Sequence, residues 1–197
     1  KKLSKHAVMN PTIYIGGDST VCNYYPLENS LQAGWGQLLP EFVDTETYQV
    51  RNMASGGQIA RGFRDDGQLE AILKYIKPGD YFLLQLGIND TNPKNKTTEA
   101  EFKEIMRDMV RQVKEKGATV ILSTPQGRAT DFKEENVPLV DLNVLSSKFF
   151  TSIGPEATSK LYMPGDSLHP NREGAKQLAQ IMAEDLNRLG FDGFISR

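Results

Sequence analysis

One serine, one aspartate and one histidine have the residue types needed for nucleophilic catalysis, although they lie far apart in the sequence. Ser19 stands in "GGDST", directly after the apolar stretch "TIYI", and Asp166 and His169 lie in "GDSLHPN" near the other end of the chain. A serine hydroxyl becomes a good nucleophile only when a base accepts its proton, and imidazole suits this task near neutral pH. An aspartate shortly before the histidine is placed to orient the ring and stabilise its protonated form. The pattern predicts Ser19 as nucleophile, His169 as base and Asp166 as its partner.

Each of these residues and its neighbours also has a purely structural interpretation. Serine and aspartate are favoured at helix N-caps, so Ser19 can begin a helix and Asp166 can cap the helix that follows it. The other histidine, His6, lies in a polar N-terminal segment and is interpreted as solvated. Asp18 is assigned to loop structure, and Cys22, the single cysteine, is interpreted as a packing residue.

The elements that must position these residues follow from the hydrophobic pattern. Apolar runs alternate with amphipathic segments, which is typical of βα units around a parallel sheet. The predicted strands cover residues 12–16, 48–52, 81–86, 119–123 and 137–142, and helices are predicted over 98–117 and 172–189. We therefore expect a three-layer α/β/α sandwich with about five parallel strands.

One connection in this scheme is short. Parallel neighbours need a crossover of about a dozen residues or more, and residues 124–136 are all that separate the last two predicted strands. Either this crossover is a compact loop, or a segment is absent from the sequence between Gly127 and Glu135.

Two further loops carry groups that can stabilise a developing negative charge. Ligands of an open parallel sheet bind beyond the carboxyl ends of the strands. There, Gly56 and Gly57 in "SGGQ" allow a backbone N–H to approach a substrate, and Asn89 in "GIND" offers a side-chain amide. Each such donor lowers the barrier of acyl transfer by roughly 2.7 to 4 kcal/mol. Glycine pairs and Asn-Asp pairs are also common in ordinary turns, so each signal is weak alone.

The order of these motifs resembles a known superfamily. "GGDST", the glycine of "SGGQ", "GIND" and "DSLH" are similar to the four blocks of SGNH (GDSL) hydrolases, and the resemblance runs from about Thr12 to Leu189. Within the superfamily, "AGWGQLL", "NMASGGQIARGF" and "VPLVDLN" are most similar to rhamnogalacturonan acetylesterases, carbohydrate esterase family 12. The resemblance implies a flavodoxin-like SGNH hydrolase fold.

The same resemblance implies roles for individual residues. It assigns Ser19 as nucleophile with Asp166 and His169 as partners, and it places the oxyanion hole at the Ser19 N–H, the Gly57 N–H and the Asn89 side chain.

Three further residues are candidates for contact with substrate. Trp35 can stack on a sugar ring, although packing of a helix on the sheet is the favoured interpretation, and Arg61 can meet a uronate carboxylate, although a solvated arginine is favoured. Ile88 stands where the acetylesterases often carry a histidine, and the segment 125–136 is shorter than in many relatives. Both departures bear on the substrate more than on the catalytic residues.

The function implied by the resemblance is hydrolysis of acetyl esters on a plant polysaccharide, rhamnogalacturonan (pectin) or xylan, through an acetyl-serine and without a cofactor or metal. An arylesterase, thioesterase or lysophospholipase is the alternative within the superfamily. A metal-dependent phosphoesterase is a further alternative, because Asp18, Asn89, Asp90, Asp166 and His169 are metal-ligand types. A carbohydrate-binding domain without catalytic activity is the last alternative.

The composition limits the classes of protein to which the chain can belong. The 197 residues carry a formal charge of −2, so no basic surface for nucleic acid is expected. No stretch approaches the roughly 20 apolar residues of a membrane helix. We expect one domain over residues 1–197 with its core within 12–189, and a monomer. The sequence fits the cytoplasm as well as a mature or trimmed extracellular protein, and the latter is slightly favoured.

Overall fold

A parallel sheet forms the centre of the molecule in the computed structural model, which describes residues 10–126 and 136–195. Its five strands run in the order β2-β1-β3-β4-β5, and every neighbouring pair is parallel. The strands are β1 (Thr12–Gly16), β2 (Gln49–Asn52), β3 (Tyr81–Leu84), β4 (Thr119–Ser123) and β5 (Leu139–Val140). The proposed break between Gly127 and Glu135 lies outside the described residues, as does His6.

Helices cover both faces of this sheet. They are α1 (Trp35–Leu38), α2 (Ala60–Asp65), α3 (Gln68–Tyr75), α4 (Glu99–Glu115), α5 (Leu142–Ile153), α6 (Pro155–Ser159) and α7 (Arg172–Arg188). One core joins α1, α5 and α7 to the sheet, and a second core joins α2, α3 and α4 to its other face. The predicted three-layer α/β/α fold is therefore confirmed. Among the described residues, no helix has both the length and the apolar character needed to cross a membrane.

Strand β1 shows why the strands appear in the sequence as short apolar runs. Ile13 and Ile15 belong to one core, while Tyr14 between them belongs to the other. A strand covered on both faces must be apolar at every position, which is typical of parallel sheets between helices. The predicted bounds of β1 and β4 are correct.

The other predicted bounds differ at the ends of elements. Strand β5 contains only Leu139 and Val140, because Asp141 accepts a hydrogen bond from the Val144 N–H at 3.1 Å and so caps a helix that begins at Leu142. The helix predicted over 98–117 begins after a capping box in which Thr98 and Glu101 bond each other's N–H groups. A polar cap therefore decides both boundaries.

The strand order also fixes where a ligand site is expected. It reverses at β1, which lies between β2 and β3, and open α/β sheets bind ligands beyond the carboxyl ends of the strands at such a switch point. Ser19 follows β1 directly, so the fold carries it to this position.

Candidate active site

Ser19 lies on a tight turn that leaves strand β1. The Asp18 carbonyl accepts hydrogen bonds from the N–H groups of Val21 (3.1 Å) and Cys22 (2.9 Å), which closes the turn. The Asp18 carboxylate accepts from the N–H of Thr20 at 2.8 Å and from its hydroxyl at 2.9 Å. No helix begins here, since the next one starts at Trp35. The interpretation of Ser19 as a helix cap is therefore wrong, and Asp18 serves the loop structure as expected.

The Ser19 hydroxyl, His169 and Asp166 form one line of hydrogen bonds. Ser19 Oγ lies 3.0 Å from His169 Nε2, and His169 Nδ1 lies 2.7 Å from Asp166 Oδ2. The other carboxylate oxygen accepts the N–H groups of Leu168 (2.7 Å) and His169 (3.0 Å). These bonds, that from the His169 N–H first, lower the pKa of Asp166 to about 2, so the carboxylate stays ionised next to the ring. This geometry allows a proton to pass from Ser19 to His169.

The structure also tests the interpretation of Asp166 as a helix cap. Helix α7 is capped by Asn171, whose side chain accepts the N–H of Gly174 at 2.9 Å. Asp166 instead directs its carboxylate to its own loop and to the histidine ring. The cap interpretation of Asp166 is therefore wrong.

The two loops with candidate oxyanion donors are tied to the Ser19 turn and to each other. The Gly17 carbonyl accepts the N–H of Ser55 at 3.1 Å, just before Gly57. Asn89 Nδ2 donates to the Gln58 carbonyl at 3.0 Å, which leaves its second amide proton available. Within residues 10–126 and 136–195, no hydrogen-bond acceptor is found for the N–H of Ser19 or for that of Gly57. Three donors are thus available on connected loops.

Asp90 joins these two loops through its carboxylate. Both of its carboxylate oxygens lie within bonding distance of the Ala60 N–H, at 3.0 and 3.2 Å, where helix α2 begins. Asp90 is buried, and burial raises the pKa of its carboxyl. This contact ties the loop of Asn89 to the segment that carries Gly57.

Tyr24 is a contact of Ser19 that the sequence does not predict. Its hydroxyl donates to the Ser19 carbonyl at 2.7 Å, and the Cys22 thiol lies 3.9 Å from the same oxygen. Burial raises the pKa of Tyr24, so the phenol keeps the proton that it donates. Because Asp18 binds the Thr20 N–H, the peptide group after Ser19 is held at both ends. A tyrosine five positions after the serine is the only sequence signal for this contact.

Trp35 lies beneath this turn rather than in the cleft. Its side chain is 0% exposed, and its indole N–H donates to Gln85 Oε1 at 2.9 Å. Gln85 Nε2 in turn donates to the Thr20 hydroxyl at 2.9 Å. The sugar-stacking role considered for Trp35 is corrected: a fully buried ring has no face to offer a sugar, and Trp35 supports the turn from the core.

The other two substrate candidates lie on the loops and helix around the donors. Arg61 on helix α2 is 41% exposed at its side chain and lies 3.6 Å from the Glu101 carboxylate. Ile88 is half-buried, and its carbonyl accepts the Thr91 hydroxyl at 2.7 Å. The roles of Arg61 and Ile88 as substrate contacts remain predictions.

Two buried polar atoms near the site have no protein partner among the described residues, Asp18 Oδ2 and Gln126 Oε1. Burial raises the pKa of Asp18, and Gln126 Nε2 lies 3.5 Å from the Leu168 carbonyl beside His169. In the described part of the chain, no group of three or more His, Cys, Asp or Glu side chains is arranged to hold a metal ion.

Comparison with proteins of known sequence and structure agrees with the resemblance. The chain is 67% identical to the uncharacterized esterase YxiM of Bacillus subtilis over 215 residues, which is 98% of this chain and 56% of that protein. The crystal structure of YxiM superposes with a TM-score of 0.91 and 66% identity, over 98% of this chain and 61% of that one. The chain thus spans little more than half the length of this relative.

Two other proteins match over nearly their full lengths. The chain is 34% identical to the probable rhamnogalacturonan acetylesterase YesY of Bacillus subtilis, over 90% of this chain and 93% of that protein. The acetylxylan esterase Axe2 from Geobacillus stearothermophilus shares the fold, with a TM-score of 0.68 and 20% identity over 95% of this chain and 97% of that one.

A family model agrees with both comparisons and with the predicted SGNH superfamily. The model of the GDSL-like lipase/acylhydrolase family matches residues 16–177, which include Ser19, Asp166 and His169. With this match over most of the sequence, the chain belongs to the GDSL-like lipase/acylhydrolase family.

Proposed function

We propose that the protein is a serine esterase that removes acetyl groups from an acetylated plant polysaccharide, rhamnogalacturonan or xylan. The observation that carries the proposal is the line of hydrogen bonds from Ser19 Oγ to His169 Nε2 (3.0 Å) and from His169 Nδ1 to Asp166 (2.7 Å). The acetyl and polysaccharide parts of the proposal are supported by the similarity to YesY, a probable rhamnogalacturonan acetylesterase.

The proposed reaction has two steps. Ser19 Oγ attacks the acetyl carbonyl carbon while His169 Nε2 accepts the hydroxyl proton, and Asp166 stabilises the protonated ring. The tetrahedral oxyanion accepts hydrogen bonds from Ser19 N–H, Gly57 N–H and Asn89 Nδ2. The bond to the sugar oxygen then breaks, and that oxygen takes the proton from His169.

Water completes the cycle. It attacks the acetyl-serine while His169 accepts one of its protons, and the second tetrahedral intermediate releases acetate as Ser19 Oγ regains its proton. No step requires a metal ion or an organic cofactor.

Hydrolysis of p-nitrophenyl acetate by single variants tests this proposal. Ser19→Ala and His169→Ala each remove a group that bonds to the reacting atoms, and we expect kcat to fall by about 10⁴-fold or more. Thermal unfolding should change little, because both side chains are only partly buried. The exposed Ser147 on helix α5 provides the matched control, and Ser147→Ala should keep full activity. Near-normal turnover by either site variant would refute the mechanism.

Three further measurements separate the alternatives. A fluorophosphonate should label the wild type at one serine per chain and leave Ser19→Ala unlabelled, whereas a silent binding domain would not react. Activity should persist in excess EDTA, and loss with rescue by a divalent ion would instead support a metal-dependent enzyme. Rates that rise from acetate to octanoate esters would favour the arylesterase, thioesterase or lysophospholipase alternative over an acetylesterase.

A further inference from the structure

A groove of about 1020 Å³ runs beside the candidate active site. It lies between helices α5 and α6 and the loop of residues 163–167, and its walls include Phe150, Thr151, Thr158, Tyr162 and Asp166. Asp166 bonds His169, so the groove begins one imidazole ring away from the Ser19 hydroxyl.

The position of the groove indicates which part of the substrate it receives. In the proposed reaction His169 delivers a proton to the departing sugar oxygen, so the sugar lies on the histidine side of the nucleophile. The acetyl oxygen faces the donors of the oxyanion hole. Of the proposed catalytic residues and oxyanion donors, only Asp166, the partner of His169, lines the groove. It therefore lies on the side of the sugar rather than on that of the acyl group.

The walls of the groove suit a carbohydrate. Phe150 and Tyr162 form an aromatic pair with ring centroids 5.8 Å apart, and apolar ring surface can cover the C–H face of a sugar. The exposed hydroxyl of Thr151 adds a polar contact. Apolar rings with a few polar groups are typical of small-molecule sites.

The charges around the groove distinguish between kinds of glycan. Among the described residues, no lysine, arginine or histidine lines it, and the one charged side chain in its walls is the Asp166 carboxylate. Three cations lie on neighbouring segments. Lys160 pairs with Glu156 at 2.9 Å, Arg172 donates to the Leu27 carbonyl at 2.8 Å, and Lys148 lines a separate pocket that shares Thr151 with the groove. At Asp166 a uronate would meet a carboxylate, and no cation among the described lining residues offsets the repulsion.

We propose that this groove binds the glycan chain that flanks the acetylated sugar, and that it selects neutral chains of the xylan type over chains that contain uronates. The proposal rests on the proposed function and narrows its substrate class. Neutral sugars lose nothing to charge repulsion in the groove and gain the aromatic contact.

The first test compares acetylated xylo-oligosaccharides with acetylated rhamnogalacturonan oligosaccharides of equal length and acetyl content. We expect kcat/KM to be about tenfold higher on the neutral chain, which corresponds to 1.4 kcal/mol. Equal rates, or faster release from rhamnogalacturonan, would overturn the proposal. Failure to hydrolyse p-nitrophenyl acetate would instead refute the proposed function, so the two failures are distinguishable.

The second test changes the charge of the groove. Thr151→Lys places a cation on an exposed groove position, and we expect the ratio of neutral to uronate kcat/KM to fall about fivefold. Ser152→Lys adds the same charge one residue away at an exposed position that does not line the groove, and it should leave the ratio unchanged. Identical ratios in the two variants would contradict the assignment.

The third test removes the aromatic wall. Tyr162→Ala should lower the ratio of xylo-oligosaccharide to p-nitrophenyl acetate kcat/KM by about fivefold, within the range of one aromatic contact. If it lowers octanoate hydrolysis and leaves this ratio intact, the groove receives acyl chains and the proposal is wrong. Thr151→Lys and its control Ser152→Lys keep the proposal testable if Tyr162→Ala does not fold.

Discussion

The turn that carries Ser19 and the loop that carries His169 meet at one hydrogen bond, yet the protein holds them in different ways. On the serine side Asp18, Thr20 and Val21 are 0% exposed, and the Thr20 hydroxyl links the Asp18 carboxylate through Gln85 to the fully buried Trp35. The turn is therefore an extension of the core. Its geometry is fixed by packing and by buried hydrogen bonds.

The loop of residues 163–169 has little core beneath it. Pro164, Gly165 and Ser167 are exposed, and the carboxylate of Asp166 holds the backbone through the N–H groups of Leu168 and His169. The residue that orients the imidazole also shapes the loop on which the imidazole sits. The comparison indicates that the core positions Ser19, the proposed nucleophile, whereas Asp166 positions His169, the proposed base.

The largest effect is expected at Asp166. In Asp166→Asn the amide oxygen can still accept the N–H groups of the loop, but the amide nitrogen would face His169 Nδ1 and favour the wrong tautomer. We expect kcat for p-nitrophenyl acetate to fall about 10⁴-fold. Asp166→Ala should lose this activity and also the backbone bonds, so hydrogen exchange at Leu168 and His169 should accelerate only in the alanine variant. Equal exchange in both variants would show that the carboxylate does not shape the loop.

A smaller effect is expected from a matched pair of glycine substitutions. A Cβ at Gly34 would lie 2.2 Å from the Val21 carbonyl carbon and 2.5 Å from the Cys22 nitrogen, so Gly34→Ala must displace the turn of Ser19. We expect a loss of about 3 kcal/mol in the free energy of unfolding. Gly165 has a φ of +73° and no neighbouring atom within 4 Å of its Cβ position, so Gly165→Ala should cost about 1 kcal/mol of backbone strain.

Urea unfolding of the two glycine variants measures this difference. Equal losses of stability would contradict the conclusion that the serine turn belongs to the core and the histidine loop does not.

The smallest effect is expected at Tyr24. Tyr24→Phe removes the hydroxyl that holds the Ser19 carbonyl, and the loss of one hydrogen bond should lower kcat about tenfold. KM should change little, because the phenol bonds the backbone of the nucleophile rather than the substrate. Tyr25→Phe is the matched control, since Tyr25 is 78% exposed. An unchanged kcat in Tyr24→Phe would show that the serine turn keeps its geometry without this contact.

The sheet could be predicted from the sequence where both ends of a strand carry a clear signal. Strands β1 and β4 are buried apolar runs that end at small or polar residues, and their predicted bounds are correct. Strand β5 was predicted too long, because the apolar pattern continues through Leu142 and the cap at Asp141 was not recognised. Apolar character alone cannot distinguish the end of a strand from the start of a buried helix.

The catalytic candidates can be identified from the sequence because their residue types are rare or stand in a motif. The residues that hold them in place have neither feature. His169 is one of two histidines, and Ser19 stands in a recognisable block. Tyr24 and Gln85 are ordinary residues whose roles depend on where the folded chain directs one oxygen or one amide. The sequence also left Trp35 with two interpretations, and only its complete burial decides between them.

The bond between Asp90 and the Ala60 N–H has a consequence for chimaeras made from related proteins. The loop after β3 supplies the buried carboxylate, and the segment after β2 supplies the donor that satisfies it. A graft of either segment alone would leave an acid without its donor or a helix start without its acceptor. These two segments should therefore be exchanged between relatives as a pair.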